Sequence, residues 1–341
     1  MNGSLKPVLA RLGQGERLSA AEAEAAFGIV MDGLATPGQI GGMLMAMRAR
    51  GESVEELTGA VTAMRARMTR IEAPENAMDV CGTGGDGAAS LNISTAVTFV
   101  LAACGVPVAK HGNKALSSRA GGADVLAALG VDIEPPIERL SAILAEVGCV
   151  FLFAPRHHPA LRHAAAVRME LGTRTIMNLT GPMANPAGVM RQLMGVYDPA
   201  WVRPVADTLA KLGAKAAWVV HGGGLDELVL EGENQVAALR HGEIAEFKVT
   251  AADAGLQPVP MRALQGGDAA ENAAALLAVL DGARNGYRDT ILFNAAAALI
   301  VAGVVTTLPQ GVEHAAAALD SGAARGVLDR LRTVSRELSL A

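Results

Sequence analysis

The stretch Val80-Cys81-Gly82-Thr83-Gly84-Gly85-Asp86-Gly87, with Leu91-Asn92-Ile93-Ser94-Thr95 just after it, decides the fold of this 341-residue chain. An apolar strand, Met78 to Cys81, precedes the glycine turn, and an apolar helix from about Ser94 to Ala103 follows it. Glycine has no Cβ, so such a turn takes positive φ and brings bare N–H groups against a ligand. The helix start adds unpaired N–H donors and the positive end of its dipole. The sequence therefore predicts an anion site, most naturally for phosphate or pyrophosphate.

The glycine spacing also fits the G-x-G-x-x-G pattern of dinucleotide-binding folds. Those folds need an acidic residue about 20 positions further on, at the end of the next strand. The next predicted strand, Val106 to Ala109, instead runs into Lys110-His111-Gly112-Asn113-Lys114. A cation stands where a ribose would need a carboxylate, so the pattern favours a polyanion site over NAD. Lys110 also weakens the other alternative, a structural glycine turn without a ligand.

The composition limits the class of protein. Hydrophobic residues make up 51% and aromatic residues only 3%, so Ala, Val, Leu and Met build the core. A net charge of −5 argues against nucleic acid as the main partner. Cys81, Cys104 and Cys149 lie in apolar runs without metal-like spacing, which suits packed thiols in a reducing cytoplasm. We find no signal peptide and no run long enough to span a bilayer, and expect a soluble, cytoplasmic protein with no membrane partner.

The order of predicted elements indicates two domains and an α/β fold. Residues 1–72 carry only helical signals, including a capping box at Ser19, and predict a small all-helical domain. Strand–helix alternation begins at Ala77 and predicts a larger α/β domain with a mainly parallel central sheet. Its predicted strands include a short one over Val131 to Ile133 and a hairpin around His241-Gly242.

Further polar groups follow the predicted strands, where open α/β sheets bind ligands. Lys110 offers a point charge for phosphate, and Ser117 and Ser118 offer hydroxyl and helix-start donors. The adjacent carboxylates Asp226-Glu227 would be candidates for Mg²⁺ in a polyphosphate site, because that ion binds one or two carboxylates, waters and phosphates. From the glycine turn, Asp86 and Ser94 would add oxygen ligands.

A last group comprises His157-His158-Pro159 and Arg168, on a helix that begins at Pro159. Arg168 lies near the far end of that helix, where a cation favours the dipole; it would equally serve as a planar fork for a carboxylate. The histidines lack the spacing of a metal site, and no Ser-His-Asp or Cys-His arrangement is supported. The residues thus indicate Mg²⁺-assisted handling of a pyrophosphate-bearing substrate without naming it.

Taken in order, five motifs closely resemble anthranilate phosphoribosyltransferases over nearly the whole chain. They are Gly82-Thr83-Gly84-Gly85-Asp86-Gly87, Asn92-Ile93-Ser94-Thr95, Lys110-His111-Gly112-Asn113, Arg174-Thr175 through Asn178 to Gly181-Pro182, and Gly224-Leu225-Asp226-Glu227. The resemblance implies the nucleoside phosphorylase class of fold, an active site between the domains, a homodimer, and Mg²⁺ as cofactor. It also implies that a returning segment, 173–190, joins residues 1–72 in the small domain, with 77–172 and 191–341 forming the α/β domain. It implies transfer of phosphoribosyl from phosphoribosyl pyrophosphate to anthranilate in tryptophan biosynthesis.

Carried over by position, the resemblance also implies site residues. Phosphoribosyl pyrophosphate would contact Gly82, Gly85, Asp86, Ser90, Asn92, Ile93, Ser94, Thr95, Lys110, His111, Gly112, Asn113, Lys114, Ala115, Leu116, Ser117, Ser118 and Gly122. Anthranilate would contact Gly82, Asn113, His158, Arg168 and Pro182. Magnesium would be held by Ser94, Asp226 and Glu227. Lys110 would stabilise developing charge, and no general base is assigned.

Three positions depart from the usual pattern of the family. Lys114 stands for an arginine, Met177 for a phenylalanine, and Ala120-Gly121-Gly122 for a stretch with two hydroxyls, so a phosphate contact at Gly122 would come from its backbone N–H. Two alternatives stay open: a pyrimidine nucleoside phosphorylase of the same fold, which usually has Lys-His-Ser at the second loop, and a non-catalytic nucleic-acid-binding relative. The acidic charge and Asp226-Glu227 argue against the second.

Overall fold

A computed structural model describes residues 4–84, 90–115 and 119–340. The described residues form a seven-stranded sheet in the order β3-β2-β1-β4-β5-β6-β7. The first five strands in that order run parallel, and β6 and β7 are antiparallel. The strands are β1 (Met78–Gly82), β2 (Val108–Gly112), β3 (Cys149–Phe153), β4 (Arg191–Gly195), β5 (Ala216–Gly222), β6 (Asn234–Arg240) and β7 (Glu243–Val249). Among these described ranges, no helix is long and apolar enough to cross a membrane.

The chain before the sheet is helical, as the sequence predicts. Its helices are α1 (Lys6–Leu12), α2 (Ala20–Met31), α3 (Pro37–Arg50) and α4 (Val54–Arg65). Ser19 and Ser53 begin α2 and α4 with reciprocal side-chain bonds to Glu22 and Glu56, so the predicted capping box at Ser19 is confirmed. Local sequence alone therefore fixes where these helices begin.

The helices after β1 connect the strands and then close the chain. They are α5 (Ile93–Ala103), α6 (Gly122–Ala128), α7 (Ile137–Val147), α8 (Ala154–His157), α9 (Arg162–Leu171), α10 (Met177–Met183), α11 (Val202–Lys211), α12 (Ala269–Leu280), α13 (Gly286–Ala302), α14 (Leu308–Asp320) and α15 (Ala323–Leu340). Short 3₁₀ helices cover Pro159–Leu161, Pro199–Trp201, Ala251–Ala254 and Met261–Leu264. The predicted hairpin is confirmed by β6 and β7.

One predicted strand is wrong: residues 131–133 are irregular and join no strand. The run is only three residues long, and α6 and α7 leave it no neighbouring strand to pair with. The second strand also begins at Val108, two residues later than predicted, because Pro107 has no N–H to donate to a ladder.

Alternate strand residues enter two hydrophobic cores, one on each face of the sheet. Val80, Leu193 and Val220 belong to the core that includes α5, α7 and α13. Cys81, Met194 and Val219 belong to the core that includes α2, α3, α4 and α11. Helices α2, α3 and α4 therefore pack against only one face of the sheet. The residues of α10 join this second core, which brings the end of α10 close to β1 and β2.

Candidate active site

The candidate site lies at the carboxyl ends of β1, β2 and β5, beside the switch point between β1 and β4. Gly82 and Gly195 end these two strands opposite each other. A Cβ on Gly82 would lie 2.1 Å from Oδ2 of Asp226, and one on Gly195 would lie 1.5 Å from the Asp226 carbonyl oxygen. Both positions therefore require glycine for the acidic segment to lie directly against the strand ends.

The two acids contact the two anion-binding features predicted from the sequence. Oδ2 of Asp226 accepts a hydrogen bond of 2.7 Å from the N–H of Gly84, which has a φ of +67°. Oε1 of Glu227 accepts one of 3.1 Å from the N–H of Ser94 in the first turn of α5. The structure thus joins motifs more than 130 residues apart in the chain. Gly85 and Asp86 lie outside the described residues.

Lys110 connects β2 to the start of α5. Its ammonium is buried, with the residue 5% exposed, and donates to the Ser94 hydroxyl at 3.1 Å and to the Val80 carbonyl at 2.7 Å. A buried ammonium held by neutral oxygens keeps its charge available to an incoming anion. Cation, hydroxyl and two carboxylates therefore converge on the start of α5.

The donor set fits magnesium bound together with a phosphorylated substrate. Among the described residues no group of three or more His, Cys, Asp or Glu side chains forms a complete metal cage. The hydroxyl of Ser94 and the carboxylates of Asp226 and Glu227 are hard oxygen donors, with Glu227 bonded to the Ser94 backbone and Asp226 bonded to the Gly84 backbone. Magnesium usually binds one or two carboxylates and completes its shell with water and substrate phosphates.

Two buried asparagines, which the sequence analysis missed, fix the chain just after the acids. Asn294 on α13 accepts from the Leu228 N–H at 3.0 Å and donates to the Leu228 carbonyl at 2.8 Å. Asn234 on β6 makes the same pair of bonds to Val229, at 2.7 and 2.9 Å. These amides fix the backbone of the two residues that directly follow Glu227. Their sequence signal is a single amide inside an apolar run, such as Phe293-Asn294-Ala295.

Asn92, which precedes α5, is fixed by the C-terminal helices. Its side-chain oxygen accepts from Asn272 at 2.9 Å, its carbonyl accepts from the Tyr287 hydroxyl at 3.0 Å, and its amide donates to the Ala120 carbonyl at 3.3 Å. Ser90 forms an isolated bridge with Gln265. Helices α12 and α13 therefore hold the start of α5 in place, while Ile93 and Thr95 are buried in its first turn.

The segment after β2 closes over the same helix start. The N–H of Ala115 donates to Asp124 at 2.9 Å, and Lys114 lies 5.6 Å from the centre of the Phe153 ring. A Cβ on Gly122 would lie 3.2 Å from the Thr95 hydroxyl, so a larger residue there would require a small shift. Gly112 and Asn113 are described with this segment, whereas Leu116, Ser117 and Ser118 lie outside the described residues.

His111, the residue after Lys110, points to the opposite face of β2. Its Nδ1 lies 3.1 Å from the Gly181 carbonyl, and its ring centre lies 5.0 Å from that of His158. Burial lowers the pKa of His111 and lowers the pKa of His158 to about 4, so both rings are neutral near pH 7. Since Nδ1 donates to a carbonyl, Nε2 of His111 is left as an acceptor.

Several buried polar atoms on this face have no hydrogen-bond partner among the described residues. They are Nε2 of His111, the hydroxyl of Thr175 and the ring nitrogens of His158, which has the Ala184 carbonyl nearby but makes no well-aligned bond to it. Buried polar groups normally find partners, so this grouping indicates that a polar ligand binds there. Nearby Pro182, inside α10, has its carbonyl bonded to Gln192 at 2.8 Å.

Arg168 lies in the last turn of α9, as predicted. Its side chain is half-buried, desolvation lowers the pKa of its guanidinium, and in the described part of the chain no carboxylate pairs with it. A desolvated guanidinium without an acidic partner suits a carboxylate ligand better than a purely structural role. The helix-dipole contribution is compatible with this role.

Buried Asp79 on β1 is a further polar residue that sequence analysis missed. Burial raises its pKa to about 6, while the nearby charge of Lys110 and bonds from Asn185 and His111 act in the opposite direction. Its signal in the sequence is an acid between the apolar residues Met78 and Val80.

Family comparisons agree with this fold. Residues 6–68 match the helical bundle domain of a glycosyl transferase family, and residues 74–325 match the a/b domain of that family. The chain is therefore a two-domain glycosyl transferase with a small helical domain and a larger α/β domain, which confirms the predicted fold class.

The relatives narrow the class further. An anthranilate phosphoribosyltransferase of Sinorhizobium medicae is 56% identical over 331 residues, covering 97% of this chain and 98% of its own. One of Afipia carboxidovorans is 57% identical over 332 residues, with 97% and 98% covered. The chain belongs to the anthranilate phosphoribosyltransferase family, and the resemblance stated from its motifs is confirmed.

Solved structures agree with the fold in detail. The crystal structure of anthranilate phosphoribosyltransferase from Thermus thermophilus has a TM-score of 0.92 and 41% identity, covering 98% of this chain and all of that one. The enzyme from Saccharomyces cerevisiae in complex with PRPP and Mg has a TM-score of 0.89 at 24% identity, covering 99% of this chain and all of that one. At that identity the second likeness concerns the fold alone.

Proposed function

We propose that this chain transfers the phosphoribosyl group of phosphoribosyl pyrophosphate to the amine of anthranilate, a reaction of tryptophan biosynthesis. The products are N-(5-phosphoribosyl)anthranilate and pyrophosphate. Membership of the family supports this activity over nucleoside phosphorolysis, and Lys110-His111-Gly112-Asn113 lacks the serine that the alternative usually carries.

One observation carries the proposal at the level of residues: Lys110 and His111, neighbours on β2, serve opposite faces. On one face the ammonium of Lys110 meets Ser94 and the start of α5, where a polyanion is favoured. On the other face His111 and His158 are neutral and retain unpartnered nitrogens, where an aromatic amine with a carboxylate is favoured. A ribosyl carbon bound at the end of β2 would therefore have its leaving group on the Lys110 side and its nucleophile on the His111 side.

The residues of the chain then act mainly by binding and orientation. The ammonium of Lys110 stabilises the negative charge that develops on the departing pyrophosphate. We assign His111 to anthranilate and not to phosphoribosyl pyrophosphate, the contact implied by the resemblance, because its ring lies on the face of β2 opposite to Lys110. Its Nε2 accepts a hydrogen bond from the anthranilate amine, and Arg168 binds the anthranilate carboxylate. Holding the amine in line with the ribosyl carbon supplies much of the rate enhancement.

We propose Mg²⁺ as the cofactor, held by Ser94, Asp226 and Glu227 together with the pyrophosphate group. When bound, the ion would neutralise the charge of the leaving group. The remaining substrate contacts proposed from the resemblance are those given above, with Gly85, Asp86, Leu116, Ser117 and Ser118 among them. A homodimer, a cytoplasmic location and the grouping of 173–190 with residues 1–72 are proposed on the same basis.

The experiment follows the loss of anthranilate fluorescence with phosphoribosyl pyrophosphate and Mg²⁺. We expect loss with the purified chain, and at least about tenfold slower loss with Asp226→Asn, which removes charge stabilisation worth more than ~1.4 kcal/mol. The control is Asp281→Asn, an exposed carboxylate paired with Arg325 at the surface, which should match the parent. No loss with the parent, together with tight DNA binding, would instead identify a non-catalytic relative.

A further inference from the structure

Within the parallel part of the sheet, the backbone pairing between β1 and β2 is irregular. The two strands pair at Met78 and Val108, whereas β1 and β4 pair over all five residues. Continuing the first register would place Val80 opposite Lys110, with backbone hydrogen bonds on both sides of Val80. Instead, the Val80 carbonyl accepts a bond of 2.7 Å from the ammonium of Lys110.

The two β2 groups that a regular ladder would join to Val80 are bonded by other side chains. The N–H of His111 donates to Oδ1 of Asp79 at 3.2 Å. The carbonyl of Ala109 accepts from Nδ2 of Asn185 at 2.8 Å. Side chains therefore replace the missing ladder and keep the strands apart at the site.

Asp79 and Asn185 are also bonded to each other and to the acceptor side. Nδ2 of Asn185 donates to Oδ2 of Asp79 at 2.8 Å, and its oxygen accepts from the Ala187 N–H at 2.8 Å. Asn185 follows α10, whose Gly181 carbonyl accepts from the ring of His111. Asp79 is fully buried and Asn185 is 3% exposed, so water does not compete for these bonds.

Burying a carboxylate costs free energy that an apolar side chain filling the same space would not cost. An apolar pair of similar volume is often as stable as a buried polar one, so packing alone does not require Asp79. An apolar pair would not fix the distance between the end of β2 and the segment after α10. That distance sets the position of the His111 ring relative to Gly181.

We propose that Asp79 and Asn185 form a positioning pair for the acceptor substrate, holding His111 and the end of α10 in the arrangement that binds anthranilate. The inference deepens the proposed function and depends on it. It assigns the pair to one substrate, because its bonds reach the His111 side of β2, whereas Lys110 and Ser94 on the donor side make none of them.

The test uses Asp79→Asn, Asn185→Asp and the double variant. Asp79→Asn leaves one acceptor oxygen for two donors, the His111 N–H and the Asn185 amide, so one of these contacts becomes donor against donor. Asn185→Asp places two carboxyl groups together and removes the donor to the Ala109 carbonyl. In the double variant a donor again faces an acceptor, although the Ala109 carbonyl loses its partner. We expect each single variant to raise the KM for anthranilate about tenfold, the KM for phosphoribosyl pyrophosphate to stay within about twofold, and the double variant to recover part of the loss.

A matched control is Asn294→Asp, an equally buried asparagine whose bonds reach the metal side. It should change the KM for phosphoribosyl pyrophosphate and the Mg²⁺ requirement and leave the KM for anthranilate near the parent value. Equal changes for both substrates in the Asp79 and Asn185 variants would overturn the proposal, as would an unchanged KM for anthranilate.

Equilibrium binding of anthranilate, followed by its fluorescence, tests the pair without turnover. Weaker binding by the single variants, which are nearly isosteric and checked for folding by circular dichroism, supports the proposal, and unchanged binding refutes it. A parent that binds anthranilate but does not consume it would refute the proposed function and leave this measurement decisive for the pair.

Discussion

Replacing Gly82 by alanine should displace the carboxylate of Asp226 although no acidic residue is changed. The new Cβ would lie 2.1 Å from Oδ2 and 2.6 Å from Cγ of Asp226, where ordinary contact begins at 3.4 Å. The carboxylate must therefore move by 3.4 − 2.1 = 1.3 Å. Pairing with Gly195 holds Gly82 in place, so Asp226 is the group that shifts and loses its 2.7 Å bond to Gly84.

The expected magnitude follows from that displacement. Misplacing a catalytic constellation by about 1 Å costs on the order of 100-fold in rate, which corresponds to ~2.7 kcal/mol of transition-state stabilisation. Overpacking also lowers the free energy of unfolding by about 1–3 kcal/mol, which a chain of this size tolerates. We expect Gly82→Ala to remain folded at 25 °C, to turn over about 100-fold more slowly and to need more Mg²⁺.

The assay is the initial rate of anthranilate fluorescence loss over a series of Mg²⁺ concentrations, with thermal unfolding measured in parallel. Gly38→Ala is the control, because that glycine lies in α3 and nothing stands within 4 Å of the added Cβ. It should match the parent in rate. If folded Gly82→Ala kept half the activity of the parent at equal Mg²⁺, the reasoning about Asp226 would be refuted.

Three further predictions concern single residues, and a fourth concerns pH. Lys110→Met should lower kcat at least about tenfold at unchanged fold, and a rate within twofold of the parent would remove Lys110 from the mechanism. Arg168→Ala should mainly raise the KM for anthranilate, by about tenfold; an effect confined to the other substrate in steady-state kinetics would contradict its role. Glu56→Ala leaves the half-buried guanidinium of Arg50 without its 2.6 Å partner, and urea titration should show a loss of about 3–5 kcal/mol, while less than about 1 kcal/mol would refute this. Stability should fall as pH drops below 6.5, by about 1 kcal/mol per unit for His158 alone, because burial holds its folded pKa at about 4 and only the unfolded chain binds the proton. Burial also lowers the pKa of His111, which acts in the same direction, whereas Asp79, with a folded pKa raised to about 6, offsets part of the fall. Melting temperatures that do not fall between pH 7 and 5.5 would contradict this prediction.

The parts of the fold that depend on short-range chemistry were predictable from the sequence. The helix starts at Ser19 and Ser53 need only a hydroxyl and a glutamate three residues on. The strand, glycine turn and helix around Gly82 likewise depend on residue types within one short window. Such signals operate within a few residues, so a single sequence contains them completely.

The parts that depend on distant partners were not predictable in the same way. Asp79 meets Asn185 106 residues later, and Leu228 meets Asn294 66 residues later. No local sequence pattern predicts these contacts, since each involves a polar residue in an apolar run, and the fold decides which partner it meets. The wrong strand at 131–133 has the same origin, because a strand exists only where a neighbour is available to pair with it.

The proposed reaction depends on the register of β2 more than on any one side chain. Alternation along a strand sends Lys110 and His111 to opposite faces, so a slip of one residue would exchange the cation and the neutral ring. Five consecutive pairs with β3 prevent that slip on one edge. On the other edge the ladder opens, and the side chains of Lys110, Asp79 and Asn185 bond there instead. The strand is thus fixed in register by one neighbour and separated from the other, an arrangement that the proposed reaction needs if donor and acceptor groups are to reach a common carbon from opposite sides.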